Sequence, residues 1–291
     1  MSRQVRKRIR DYIFYLFLKF IAYTLSITPR KLIQIKANFI GWLFFHLLKK
    51  DRNIAIDNLE MIFPKRDGNR RIALRSFQNA SLNLFDYLST IRKGRLDKII
   101  SKSEIIGMEK LDGIYGKSGI IVLTTHCNAF EFIPLIVANS GYKVAVIGRK
   151  LFSPSIDKFL LKYRCRKGVV NVPSDDTRLL LKTLDEKYLV GILIDQHSHG
   201  VHSTTIPFLG HNAEVVTGPV KLAIRKNIPI ITVSIHRDES LNYRVEFGNF
   251  VDIDNDSDLI SNLEKAVREI ENIILSDIEQ WIWFHDRWSK D

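Results

Sequence analysis

The stretch with the most evident chemistry is GIIVLTTHCNAFEF, residues 119–132. An apolar run, Gly119–Thr124, leads straight into His126, and Glu131 follows five positions later. If a helix begins near Asn128, with Asn128 as its cap, His126 and Glu131 meet across the first turn. A carboxylate placed there fixes the imidazole tautomer and stabilises the imidazolium formed as the ring removes a proton. No serine stands in a Gly-x-Ser-x-Gly elbow, so the attacking group is read as a hydroxyl of the substrate. A histidine–carboxylate pair working on an alcohol is general-base acyl transfer. The spacing alone suits equally well a histidine that caps a helix or is satisfied at a sheet edge.

Such a pair must be held by a rigid frame, and the flanking sequence supplies one. Strands are expected at Gly119–Thr124, Lys143–Ile147, Val169–Val172, Leu189–Asp195, Ile228–His236 and Tyr243–Phe247. Helical segments lie between them near 130–139, 155–166, 174–186 and 215–226, with a last helix near 257–276. Continuous apolar strands alternating with helices indicate an α/β fold with a mostly parallel sheet flanked by helices. Strand 119–124 is expected at the centre, with His126 at its C-terminal end, where sites in such sheets lie. Upstream, residues 69–93 show helical spacing at Ile72, Leu74, Phe77, Leu82, Leu84, Phe85 and Leu88.

The chain divides at about residue 50 into an N-terminal basic and apolar anchor region (1–50) and a catalytic domain (51–291). Arg3, Arg6, Lys7, Arg8 and Arg10 precede the run Tyr12–Ile27, which is broken only by Lys19. The run is marginal for a crossing helix, which needs about 20 apolar residues. A second stretch, Phe39–Leu48, is rich in aromatics and ends in Lys49 and Lys50. Basic flanks around amphipathic or aromatic helices suit a single-pass or monotopic anchor on an anionic leaflet. The chain has 291 residues with 44 Lys and Arg against 32 Asp and Glu, a net charge of +12 that calls for an acidic partner. No zinc-finger or RNP signature accompanies the charge, so nucleic acid is not expected. Two cysteines, Cys127 and Cys165, cannot build a disulfide framework and fit a reducing compartment.

Five blocks, in order, carry a family resemblance. They are RNIAIDNLEMIFP (52–64), His126 with Glu131, IGRKLFSPSIDKFLLKYRCRKG (147–168), LIDQHSHGVHSTTIPFLGHNAEVVTGPVKLA (193–223) and WFHDRW (283–288). Together they resemble the lipid A late (lauroyl/myristoyl) acyltransferase branch of the lysophospholipid acyltransferase superfamily. The resemblance implies a glycerol-3-phosphate acyltransferase-like fold with N-terminal membrane-associating helices. It implies transfer of a fatty acyl chain from an acyl-carrier-protein or CoA thioester to a hydroxyl of a membrane glycolipid, foremost a lipid A precursor, with a lysophospholipid or other glycolipid as alternatives. It further implies His126 as base and Glu131 as its orienting partner, with no metal and no cofactor beyond the thioester co-substrate. Arg149, with Arg164 in the same region, would bind a phosphate or head group, a task suited to guanidinium. Asp195 and Gln196 close a strand and are expected at the substrate-binding rim. The implied setting is the cytoplasmic face of the bacterial inner membrane, with acyl carrier protein, the lipid acceptor and the anionic membrane surface as partners.

Two features depart from the branch's pattern: His197-Ser198-His199 after Asp-Gln, and Phe208-Leu209-Gly210 in place of an aromatic pair before glycine. These bear on the acceptor rather than on the reaction. His197, His199 and His202 also resemble the zinc motif of metallo-β-lactamase-fold hydrolases, although Val201 stands where that motif has Asp. A zinc hydrolase is therefore a remote alternative.

Overall fold

The computed structural model describes residues 3–92, 94–151, 153–197 and 202–288. Four helices come first: α1 (Arg3–Ile27), α2 (Arg30–Leu47), α3 (Lys49–Ile62) and α4 (Asn69–Ser89). After the short α5 (Arg95–Ile100), strands and helices alternate: β1 (Glu104–Ile106), β2 (Ile120–Thr124), α6 (Ile133–Asn139), β3 (Val144–Gly148), α7 (Pro154–Arg164), β4 (Val170–Pro173), α8 (Thr177–Asp185) and β5 (Leu189–Leu193). A hairpin of β6 (Ser203–Phe208) and β7 (His211–Val216) follows, then α9 (Gly218–Lys226), β8 (Ile230–Arg237), β9 (Tyr243–Phe250) and α10 (Leu259–Ser276).

Seven strands form one sheet in the order β1-β9-β8-β2-β5-β3-β4, with β2 at its centre as expected. Strands β8, β2, β5, β3 and β4 run parallel, and β9 turns back antiparallel to β8. Every residue of β2 is buried because helices cover both faces of the sheet. Alternation divides the strand between two cores: Ile121 and Leu123 pack with α3, α4, α9 and α10, whereas Ile120 and Val122 pack with α5 and α6.

The hairpin was not expected from the sequence, which suggested helix from 215; Val215 and Val216 end β7 and the helix begins at Gly218. Its two-residue turn places Leu209 and Gly210 at positive φ, 49° and 80°, which suits the twist of the paired strands. Glycine takes that conformation without cost, whereas Leu209 is held there by its N–H, which donates to the Glu271 carboxylate at 2.5 Å. Strand β1 was also unanticipated, and α4 ends at Ser89, short of the expected 93.

Helices α1 and α2 pack on α4 through Ala22, Leu25, Ile33, Ala37 and Phe45. At Gly41 a Cβ would meet the Gln78 Cα at 2.4 Å, so the two backbones touch where α2 crosses α4. Gly41→Val is expected to destabilise the protein by about 3 kcal/mol through overpacking against rigid backbone, read as a lowered urea midpoint with unchanged slope. Among the described residues no helix is long and apolar enough to cross a membrane. The outward surfaces of α1 and α2 nevertheless expose Tyr12, Ile13, Phe14, Phe17, Phe20, Tyr23, Ile35, Phe39 and Trp42.

Candidate active site

Strands β2 and β5 are parallel neighbours with Thr124 opposite Leu193. Two residues beyond each, at the C-terminal edge of the sheet, stand His126 and Asp195, and the register brings them together. The His126 ring lies with Nδ1 2.8 Å from Asp195 Oδ1, and the His126 backbone N–H donates to Oδ2 at 2.8 Å. Trp281 Nε1–H donates to the same Oδ2 at 2.7 Å. Asp195 is fully buried, whereas the His126 side chain is 25% exposed. Burial pushes the Asp195 carboxyl up, but the His126 ring and these donors outweigh it and hold the group below its ordinary value. An ionised Asp195 only accepts, so Nδ1 carries the hydrogen and Nε2 presents its lone pair. The same shift makes Asp195 a source of stability at neutral pH that is lost as pH falls below about 4.

The loop after β2 explains why Glu131 is elsewhere. Asn128 has positive φ (50°), and its side chain accepts from the adjacent Ala129 N–H rather than capping a helix. A 3-10 turn spans Phe130–Phe132, and α6 starts only at Ile133. Glu131 thus turns away from the ring and takes a two-pronged ion pair from Arg164, Nε to Oε2 at 3.1 Å and Nη2 to Oε1 at 2.5 Å. Arg164 also donates to Asn171 Oδ1 at 3.3 Å. The partner expected for His126 is therefore replaced by Asp195, which lies beneath the ring rather than at a substrate rim. Gln196 is half-buried one residue further on, and Arg149 is exposed in the loop after β3.

Two cavities meet at the Glu131–Arg164 pair. One, of about 200 Å³, is lined by His126, Asn83, Leu84, Tyr87, Phe130 and Leu160. The other, of about 70 Å³, is an almost wholly apolar recess beneath the sheet, walled by Val122, Val146, Leu189, Gly191, Val137 and Phe247. Phe130, Glu131 and Arg164 border both. Arg149 lines neither.

The frame around His126 is drawn from distant segments. Asn83 on α4 donates to the Asn128 carbonyl at 2.6 Å and is itself held by Arg237 at 2.7 Å. The Asn128 N–H donates to the Gln280 carbonyl at 3.2 Å. Asn58 donates to the carbonyls of Trp283 and His285, and Ser76 to that of Trp281. His285 is pushed down to about 4 by burial and by Arg287, so it is neutral at pH 7. The buried Arg287 donates to the Glu214 carbonyl and lies over the Phe208 ring, tying the tail to the hairpin. The sequence carries no local signal for Trp281, and the Trp-Phe-His-x-Arg-Trp block contributes only to the resemblance.

For the histidine cluster, Ser198, His199 and Val201 lie outside the described residues. His197 Nδ1 stands 3.6 Å from Glu214 Oε2, and His202 is exposed. Among the described residues no three His, Cys, Asp or Glu side chains gather as a metal-binding group.

A family model described as bacterial lipid A biosynthesis acyltransferase matches residues 2–290. A search of curated protein sequences gives no match. Among solved structures, the chain is similar to the 1-acyl-sn-glycerophosphate (LPA) acyltransferase PlsC from Thermotoga maritima. That similarity is at 15% identity and a TM-score of 0.41, covering 90% of this chain and 100% of that one.

Proposed function

The chain belongs to the bacterial lipid A biosynthesis acyltransferase family and is an acyltransferase, and from that premise we propose that it moves a fatty acyl chain from an acyl-carrier-protein thioester to a hydroxyl of a lipid A precursor. The observation that carries the chemistry is the His126–Asp195 pair at the mouth of an apolar cavity. His126 Nε2 takes the proton of the acceptor hydroxyl as its oxygen attacks the thioester carbonyl. The tetrahedral intermediate collapses with loss of the carbon–sulfur bond, and the departing thiolate receives the proton from the imidazolium. Asp195 holds the ring in the right tautomer and offsets its transient charge.

The acyl chain enters the cavity beside His126 and extends past Phe130 into the recess beneath the sheet, where burial of methylenes favours it by about 0.8 kcal/mol each. The Glu131–Arg164 pair fixes the turn that separates the two cavities. The exposed apolar surfaces of α1 and α2 lie in the cytoplasmic leaflet as a monotopic anchor, their cations meeting anionic lipid. No metal or further cofactor takes part.

The test is incubation of the purified full chain with acyl carrier protein bearing a fatty acyl thioester and an under-acylated lipid A precursor, followed by lipid mass spectrometry. The expected result is a glycolipid heavier by one acyl chain, with the same reaction run on CoA thioesters to rank the donors. Acylation of a lysophospholipid with none of the glycolipid would overturn the acceptor.

A further inference from the structure

A third cavity, of about 560 Å³, opens beside the turn between α1 and α2. It is lined by Arg92, Arg95, Lys98 and Lys102, together with Arg30 and the neutral Ser26, Ser240 and Asn242. The nearby carboxylates already have partners. Asp86 takes Arg30 and the Tyr243 hydroxyl, Asp97 takes Lys167 at 2.6 Å, and Asp238 takes Asn242. Among the described residues Arg92, Lys98 and Lys102 have no carboxylate partner.

Arg95 distinguishes this place from an ordinary basic surface. Its Nη1 donates to the carbonyls of Ser26 at 3.0 Å and Thr28 at 2.8 Å, which fixes the guanidinium at the helix turn. Its Nε and Nη2 are shielded from water and have no acceptor in the protein. Leaving that edge unmet costs free energy, so the two Nη1 bonds and the surrounding packing are what hold Arg95 in place. Burial works against its protonated form and lowers its pKa, opposed by the Asp86 charge and aided by the smaller effects of Arg30 and Arg92. Arg92, Lys98 and Lys102 around the fixed Arg95 concentrate positive charge on one concavity, which matches the charge of a phosphate.

The position identifies the source. Ser26, Pro29 and Arg30 line the cavity, and Tyr23, Ile27, Leu32 and Ile35 on the same two helices are exposed. Cations beside an unpartnered apolar helix surface lie at the depth of lipid head groups when that surface meets a bilayer. We propose that the Arg92–Arg95–Lys98–Lys102 cavity is a docking site for the phosphate of an anionic membrane lipid, separate from the acyl-transfer site. The inference rests on the lipid-facing reading of α1 and α2 and adds to it a discrete head-group site.

The experiment is vesicle flotation of the full chain with phosphatidylcholine alone, and with phosphatidylcholine doped with phosphatidic acid or, at matched surface charge, with oleate. Lys98→Gln/Lys102→Gln removes two exposed charges from the site. Lys117→Gln/Lys221→Gln removes the same charge from exposed positions elsewhere. Binding to phosphatidic acid vesicles is expected to weaken about tenfold or more in the site variant and less than about twofold in the control. Arg95→Lys, which keeps the charge and loses the paired Nη1 bonds to Ser26 and Thr28 that fix the site, is expected to weaken it as well, with circular dichroism confirming the fold. Equal losses in both double variants, or equal losses on oleate vesicles, would overturn the site in favour of diffuse attraction. Undiminished vesicle binding by the site variant with loss of binding to acyl carrier protein would assign the cavity to an acidic protein instead. Failure of the unaltered chain to float with any vesicle would remove the lipid-facing reading itself, leaving acyl transfer untouched.

Discussion

His126→Ala is expected to lower kcat by about 10³-fold or more while leaving the protein folded. Positioned general-base catalysis contributes roughly 10²–10⁴ in rate, equivalent to about 3–5 kcal/mol of barrier. The ring is partly exposed and packs edge-on against Phe130 at 5.0 Å, so its removal leaves a small, solvent-reachable space rather than a deep cavity. The loss should therefore appear chiefly in kcat, with a smaller drop in the unfolding midpoint because the buried Asp195 loses its ring partner. Steady-state transfer by the purified variant, with denaturation as control, measures both. A folded His126→Ala protein with near-normal turnover would sink the mechanism.

Asp195→Asn separates the two carboxylates near the ring. The carbonyl of an asparagine can keep the two bonds now made to Oδ2, from the His126 amide and the Trp281 indole. Its amide then faces Nδ1 as a donor, so the imidazole must carry its hydrogen on Nε2 and can no longer take the substrate's proton. A loss of about 10³–10⁴ in kcat follows, of the size known for an enforced wrong tautomer in a serine protease triad. Glu131→Gln, by contrast, weakens a partly exposed pair with Arg164. It is expected to cost less than about tenfold in kcat and to act mainly through KM, because the turn at Phe130 shapes the acyl path. Parallel kinetics of the two variants decide the matter. A severe Glu131→Gln with a mild Asp195→Asn would reverse the assignment.

The sheet was legible because its strands are continuous apolar runs and its helices carry periodic ones, and β2 followed by His126 reads directly as a strand end. The partner of His126 was not legible, because adjacency of β5 to β2 depends on strand order, which local patterning does not encode. The parallel register then pairs His126 with Asp195 as surely as Thr124 with Leu193. The expected helix from Asn128 failed at a left-handed residue and a 3-10 turn, so a spacing that joins side chains on a regular helix no longer did. Strand β1 has only three residues, too short for an alternation signal. The hairpin's turn hides its signature by using leucine where asparagine or glycine is usual.

The tail that braces Asp195 gives the molecule a temporal order. Asn58 and Trp283, bonded in the finished fold, are 225 residues apart in the chain. A ribosome adding roughly 5–20 residues per second needs about 10–45 s to cover that interval. Throughout it α1 and α2 have been synthesised, while the Trp281 indole that donates to the buried Asp195 has not. The nascent protein thus presents its apolar surface first and completes the shell of Asp195 last. A surface that meets α1 and α2 in that window covers them before the shell around His126 and Asp195 is complete, at the stage when their exposure would favour aggregation.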